Sequence, residues 1–271
     1  MTQAFFDSLI KEEDYICGNR FIEISNCDSI LFSKVDNISE FSQKKVDVFI
    51  THNGDYDVNP LRFDSGPVCK VWYAQNKNVN NNKVISIPIG LENFEPEFSY
   101  KSQFGRFSSL PKDGPRKKDF IFDLSSANND KTNLVYLNFN TTTYPTERNY
   151  VKNLFNDKKW ITKEQNVSWK EYYISLSNSK FCLSPRGNGI DTHRIWEALY
   201  LRTIPIVKRS YYMEEFSDLP ILFIDDWREL SEEFLEEKYQ QIKKTAYNAE
   251  KIKMSYWKQE INKKLNIILK R

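Results

Sequence analysis

Soft-metal ligands are scarce in this chain. Its two histidines, His52 and His193, lie far apart. None of the four cysteines (Cys17, Cys27, Cys69, Cys182) stands in a Cys-x-x-Cys pair. This argues against a zinc site of the usual kind, and scattered thiols suit a reducing compartment. Glycine is sparse, with 8 residues, and Ile16-Cys17-Gly18 lacks the Gly-x-Gly-x-x-Gly spacing of a dinucleotide site. That absence excludes a nucleotide-sugar epimerase of the usual type. A net charge of +2 gives no footprint for a nucleic-acid partner, and the basic clusters Arg116–Lys118 and Lys263–Arg271 read as solvated surface. No apolar run approaches the roughly 18 residues of a membrane span. Met1–Tyr15 carries Asp7, Glu12, Glu13 and Asp14 without a basic stretch and an apolar core, so no signal peptide is read there and the expectation is a cytoplasmic protein. Peripheral contact with a membrane is left open, and no transmembrane segment is expected.

What remains is an ordinary globular composition with many rings. Hydrophobic residues make up 40%, charged residues 28% and aromatics 15%, and 271 residues suffice to bury a real core. Aromatics stack on sugars and bases, but most of them fill cores.

Strands and helices alternate. Ser29–Val35, Val46–Thr51, Val68–Tyr73 and Val84–Pro88 read as strands. Tyr100–Lys118, rich in Ser, Pro, Gly and basic residues, reads as a linker. Asp119–Leu124 and Asn133–Phe139 follow as strands, then a helix over Tyr144–Asn156 and another over Ser168–Ser177. Lys180–Leu183 leads into a glycine-bearing loop and a helix near Thr192–Leu201, capped by Asp191 or Thr192. Thr203–Val207 and Ile221–Ile224 are further strands, and Ser231–Ala249 and Lys251–Leu269 two last helices. Apolar strands without two-fold alternation, separated by helices, predict parallel sheets covered on both faces. The fold expected is α/β with two Rossmann-like lobes and a cleft: residues 1–105 on the acceptor side and 119–271 on the nucleotide side, with the C-terminal helix able to pack back on the first lobe.

The chemistry concentrates in Ser184-Pro-Arg-Gly-Asn-Gly-Ile-Asp-Thr-His-Arg-Ile-Trp-Glu197. A strand end, a loop with two glycines and a helix start place free N–H groups and the positive dipole end around one spot, which is an anion site. Gly187 and Gly189 allow close backbone approach and positive φ. Arg186 and Arg194 add charges suited to a diphosphate. Arg194 and Glu197 share a helix face, where the carboxylate is placed to accept ribose hydroxyls or, more plainly, to pair with the arginine. The donor-site candidates are therefore Ser184, Arg186, Gly187, Asn188, Gly189, Asp191, His193, Arg194 and Glu197. Asn138, Asn140 and Arg148 join them from the preceding strand end and helix.

This segment, with the Thr-Ile-Pro-Ile-Val after it, resembles the C-terminal motif of exostosin-like glycosyltransferases, the glycosyltransferase 47 group and its small bacterial and viral relatives. The pattern is matched at Pro185, Arg186, Gly187, Arg194, Glu197, Ala198 and Pro205. Where that family has Gly-Cys or Gly-Thr before Ile-Pro, this chain has Arg202-Thr203, so a looser turn is expected there. The resemblance implies a GT-B fold and a UDP-sugar donor such as UDP-xylose, UDP-glucuronic acid, UDP-GlcNAc or UDP-galactose. It also implies inversion at the anomeric carbon, a glycan acceptor and no cofactor or obligatory metal. Such a relative would work in the cytoplasm of a bacterial cell or a virus-infected host.

An inverting transferase needs a general base on the acceptor side. Thr51–Asp57 follows the strongest strand of the first lobe, and Asp55, His52 and then Asp57 are its candidates, although Asn53-Gly54-Asp55 also suits a bare turn. Glu92 is a rival carboxylate. Two other functions stay open: a fucosyltransferase-like enzyme using GDP-sugars, and a glycan- or nucleotide-binding module without catalysis.

Overall fold

The computed structural model describes residues 14–25, 27–93, 114–127 and 130–270. The start of the chain and most of the expected linker, including the boundary at 105, lie outside the described residues.

After a short helix α1 (Gly18–Ile22), the first lobe is a parallel sheet of β1 (Ile30–Ser33), β2 (Lys45–Thr51), β3 (Val68–Ala74) and β4 (Val84–Ser86), with α2 (Pro60–Asp64) between β2 and β3. Its strands are apolar on both faces because both are covered. Ile30, Phe32, Val48, Ile50, Val71 and Tyr73 point into one core, and Leu31, Phe49, Trp72 and Ala74 into another. Trp72 anchors the second, with Phe49 at 4.8 Å and Phe63 at 5.8 Å between ring centroids, and its indole N–H donates to Thr51 Oγ1 at 2.8 Å. Burying such a ring contributes on the order of 2–3 kcal/mol.

Residues 119–124 form no strand. They belong to α3 (Gly114–Ser126), which also takes in the last part of the expected linker. A short apolar run fits either element, and packing decides. Ile121 is fully buried, Phe120 meets Trp169 edge-on at 5.6 Å, and Phe122 meets Tyr200 at 6.1 Å.

The second lobe contains β5 (Asn133–Leu137), α4 (Pro145–Leu154), β6 (Ile161–Lys163), α5 (Trp169–Ser177), β7 (Ser179–Leu183), α6 (His193–Tyr200), β8 (Ile204–Lys208) and β9 (Leu222–Ile224). Then come α7 (Glu232–Lys244), capped by Ser231, and α8 (Met254–Leu269). Helix α5 carries a full capping box between Ser168 and Glu171. The expected α/β chain with two parallel sheets is what the structure shows. Trp257, Ile261, Leu265 and Ile268 of α8 share one apolar core with the first sheet and with α6.

Strand order separates the lobes. The first sheet runs β1-β2-β3-β4, and the second runs β6-β5-β7-β8-β9. Only the second reverses direction, between β5 and β7. At such a reversal the connections leave toward opposite faces and a crevice opens beyond the strand ends, where α/β sheets hold ligands.

Candidate functional site

The loop after β7 ends that crevice. Ser184 N–H still bonds Ile206 O at 3.0 Å, and Gly187 N–H turns back to Gly189 O at 3.0 Å. Neither loop glycine has positive φ; among the described glycines only Gly90 does. Their need is space for protein side chains. A Cβ on Gly187 would lie 3.0 Å from Arg148 Nη2, and one on Gly189 would lie 2.6 Å from Asn76 Nδ2. Helix α6 begins with no side-chain cap and no acidic residue in its first turn, and the buried Thr192 hydroxyl has no partner.

Arg148 is no surface arginine. It is 6% exposed and spans the crevice, donating from Nε to Arg186 O and from Nη1 to Asn140 O, both at 2.8 Å, and to the Thr143 hydroxyl. Arg194 donates to Asn138 O, and its buried Nε has no hydrogen-bond partner. Asn138 and Asn140 thus serve these arginines through backbone carbonyls. Both guanidiniums lie by the Phe139 ring, at 5.6 and 5.7 Å. Burial, then the charge of Arg194, lowers the Arg148 pKa to about 10. Arg186 stacks on Tyr144 at 4.3 Å and donates to Asn188 O at 3.1 Å. None of the three arginines makes an ion pair with a carboxylate among the described residues. Buried charge is costly unless matched, so such a cluster suits an anion.

Several expected site residues are turned to other work. Glu197, 7% exposed, accepts the hydroxyls of Tyr172 (2.8 Å) and Tyr173 (2.9 Å), and it neither pairs with Arg194 within salt-bridge distance nor faces the cavities described below. Asp191 gives α6 no cap and lines neither of the cavities described below. Its buried carboxylate accepts from Trp196 Nε1 (2.8 and 3.0 Å), Ile89 N–H (2.6 Å) and the Tyr212 hydroxyl. Burial raises its pKa to about 6. His52 has both ring nitrogens occupied: Asn53 N–H donates to Nδ1 at 2.7 Å and Nε2 donates to Pro88 O at 2.9 Å. It stacks on Phe21, and burial lowers its pKa to about 4. That leaves no lone pair for an acceptor hydroxyl. Ser184 is nearly buried and bonds Cys182 O at 3.3 Å.

Asp55 is exposed and faces the cleft, with Asn188 Nδ2 donating to its Oδ2 at 3.2 Å across the lobes. Asp57 instead holds Arg62 at 2.9 Å and Asn78 at 2.5 Å. Sequence reasoning overlooked that Asp55-Tyr56-Asp57 has Asp-x-Asp spacing. The two carboxylates diverge, and no three metal-binding side chains group together among the described residues. The rival carboxylate Glu92 pairs with Lys117 at 3.2 Å.

Two cavities flank the loop. The larger, about 770 Å³, lies between the lobes, with Asn53, Asp55 and Tyr56 on one wall and Tyr144, Asn188 and His193 on the other. The smaller, about 270 Å³, lies at the ends of β7 and β8, with Ser184, Arg186, Lys208 and Arg209. The lobes are joined by hydrogen bonds, buried or partly buried, that the sequence did not suggest. Asn76 Oδ1 accepts Asp191 N–H at 2.7 Å, His193 Nδ1 meets Gly90 O at 2.8 Å, and Glu215 accepts Ser86 N–H at 2.8 Å. The departure at Arg202-Thr203 leaves the turn tight: Arg202 takes the left-handed φ of 61° that suits glycine, and Thr203 N–H bonds Ala198 O at 2.8 Å.

The molecule is thus a two-sheet α/β protein with Rossmann-like lobes and an anion-suited loop at the single reversal of strand order. Residues 128–270, over half of the chain, match the family described as the RXYLT1 C-terminal domain, and the chain belongs to that glycosyltransferase family. A 60-residue stretch is also 38% identical to a probable glycosyltransferase of Arabidopsis thaliana; it covers 22% of this chain and only 11% of that protein. Among the described residues no helix is long and apolar enough to cross a membrane.

Proposed function

We propose that the chain is an exostosin-like, inverting glycosyltransferase of GT-B architecture that moves a sugar from a UDP-sugar to a glycan hydroxyl without an obligatory metal. The observation that carries this reading is the pair of guanidiniums, Arg148 and Arg194, held by backbone carbonyls and without an ion-paired carboxylate among the described residues, at the strand-order reversal beside an interlobe cleft. Arg194, Arg186 and the uncapped start of α6 meet the charge that develops on the departing diphosphate, the kind of preorganised stabilisation that dominates many enzymes. From the opposite wall Asp55 takes the proton of the acceptor hydroxyl as its oxygen bonds the anomeric carbon and the carbon–phosphate-oxygen bond breaks. Asn188 steadies that carboxylate from the donor loop. The relation of the family to a xylosyltransferase makes UDP-xylose the first donor to try.

The test is UDP release from a panel of UDP-sugars, with and without a chelator, together with calorimetry of UDP. Release from at least one sugar nucleotide, insensitive to chelator, is expected. Arg194→Ala is expected to weaken UDP binding roughly thirtyfold, the loss of about 2 kcal/mol from a charge-assisted contact. Tighter binding of GDP than UDP would replace this reading with a fucosyltransferase-like one. Glycan binding without release from any nucleotide sugar would make the chain a binding module.

A further inference from the structure

Two tyrosines face the larger cavity from opposite lobes, and each is backed by an arginine. Tyr56, 55% exposed, has the Arg62 guanidinium 4.7 Å from its ring centroid. Tyr144, 39% exposed, has that of Arg186 at 4.3 Å. Neither arrangement is loose. Arg62 is tied to Asp57 through the carboxylate and the backbone carbonyl, at 2.9 and 3.0 Å. Tyr144 sits at φ 58° and ψ 62°, a left-handed conformation that costs a bulky residue energy and here lacks any capping bond as compensation. A large ring kept exposed on a strained backbone has no use to the fold that glycine would not serve better.

The rest of the wall is mostly polar, with Lys34 as its one lysine and Ile89 and Pro145 as apolar patches. Asn53, Asn93 and Asn188 supply amides. Asp36 and Asp55 are exposed carboxylates on either side of Gly54, Asp36 Oδ2 lying 3.6 Å from where a Cβ on that glycine would sit. Fixed aromatic faces, amides and carboxylates match the two sides of a sugar: C–H hydrogens meet the negative face of a ring, and hydroxyls donate to carboxylates and amide oxygens. Immobilised rings also lose less freedom on binding. Asp36 and Asp55 outnumber Lys34, so the wall disfavours an anionic chain. A cavity of 770 Å³ lies within the range of roughly 300–1,000 Å³ that houses drug-sized ligands, which is more than one sugar ring.

We infer that Tyr56 and Tyr144 are the two stacking platforms of the acceptor subsite, and that this subsite takes an uncharged glycan of two or more sugar rings. The inference rests on the proposed function in treating the cleft as the acceptor side, but its test does not require the donor.

The full chain is applied to a printed array of neutral oligosaccharides from one to four rings and their uronic-acid and phosphate-bearing counterparts, followed by calorimetry on the best binder. Signal is expected on neutral glycans of two or more rings. Tyr56→Ala and Tyr144→Ala each lower affinity roughly three- to tenfold, and Tyr56→Phe and Tyr144→Phe keep it. Tyr144→Gly removes the ring and fits the backbone, so its melting temperature stays at or above that of the wild type while glycan binding falls. Preference for acidic glycans, alanine variants that bind like wild type, or no binding to any neutral glycan at millimolar concentration overturns the inference. UDP calorimetry on Tyr56→Ala separates the two claims. Intact UDP binding with no glycan preference sinks the acceptor subsite alone, whereas loss of UDP binding in the wild type sinks the donor reading alone.

Discussion

The two sheets are built from the same kind of strand and differ in the order in which the chain visits them. In the first sheet each strand is laid beside the last, and the polar groups at its strand ends are largely spent on the fold: His52 on Pro88 O and Asn53 N–H, Thr51 on Trp72. In the second the chain turns back once, and at that point stand three arginines without an ion-paired carboxylate among the described residues. Topology decides where unmatched charge can be kept. The first lobe is left to contribute exposed groups, Asp55 and Tyr56, that reach into the cleft from loops.

If that division of labour holds, Asp55→Asn lowers sugar transfer by about a thousandfold, the scale of a lost general base, and leaves UDP affinity unchanged in calorimetry. Weakened UDP binding in that variant would break the contrast between the lobes.

The second comparison is of two buried titrating groups, one from each lobe, that oppose each other. The pKa of Asp191 is raised to about 6 from 3.8, so its contribution to stability is fully present below about pH 4 and is lost as pH rises through 6. The pKa of His52 is lowered to about 4 from 6.5, so its contribution is present above pH 6.5 and is lost as pH falls through 4. Each is worth about 3 kcal/mol, and they offset one another across the same window. Asp191→Asn unmasks the histidine. In urea titrations the stability of the variant relative to wild type is expected to climb by about 3 kcal/mol between pH 4 and 6.5, and a flat difference would show that Asp191 titrates in the folded protein as it does in the unfolded chain.

Gly189→Ala sharpens the contrast at the seam. Its Cβ would press on Asn76 and loosen the bond to Asp191 N–H, costing about 2 kcal/mol in chemical denaturation. The smallest effect is a gain. Arg202→Gly relieves a left-handed backbone and is expected to stabilise the second lobe by about 1 kcal/mol, read as a rise in melting temperature.

Much of the architecture was legible because strand and helix periods are local. The β-branched run at Val46–Thr51 and the loop between Leu183 and His193 could be placed from residue types alone. Residues 119–124 could not, because Phe-Ile-Phe fits a strand as well as a helix until Trp169 and Tyr200 are brought beside it. At the site, sequence found the arginines and missed what surrounds them. Nothing local says that Asp191 faces inward to Trp196 and Tyr212, that Arg148 bridges two loops, or that Gly189 makes room for Asn76 from the other lobe. Those are contacts between segments tens of residues apart, and spacing carries no trace of them. The exposed aromatics of the cleft left no signal either, since ring counts do not distinguish core from platform.

Helix α8 belongs to the second half of the chain by sequence and to the core of the first sheet by packing, and Asp14 accepts from both Ser255 N–H and its hydroxyl at the start of that helix. The modular units of this protein are therefore discontinuous. A chimera that swaps one lobe for a homologue's, in order to change donor or acceptor, must move residues 14–93 and 254–269 together. A single crossover in the middle of the gene would strand an apolar helix against a foreign sheet.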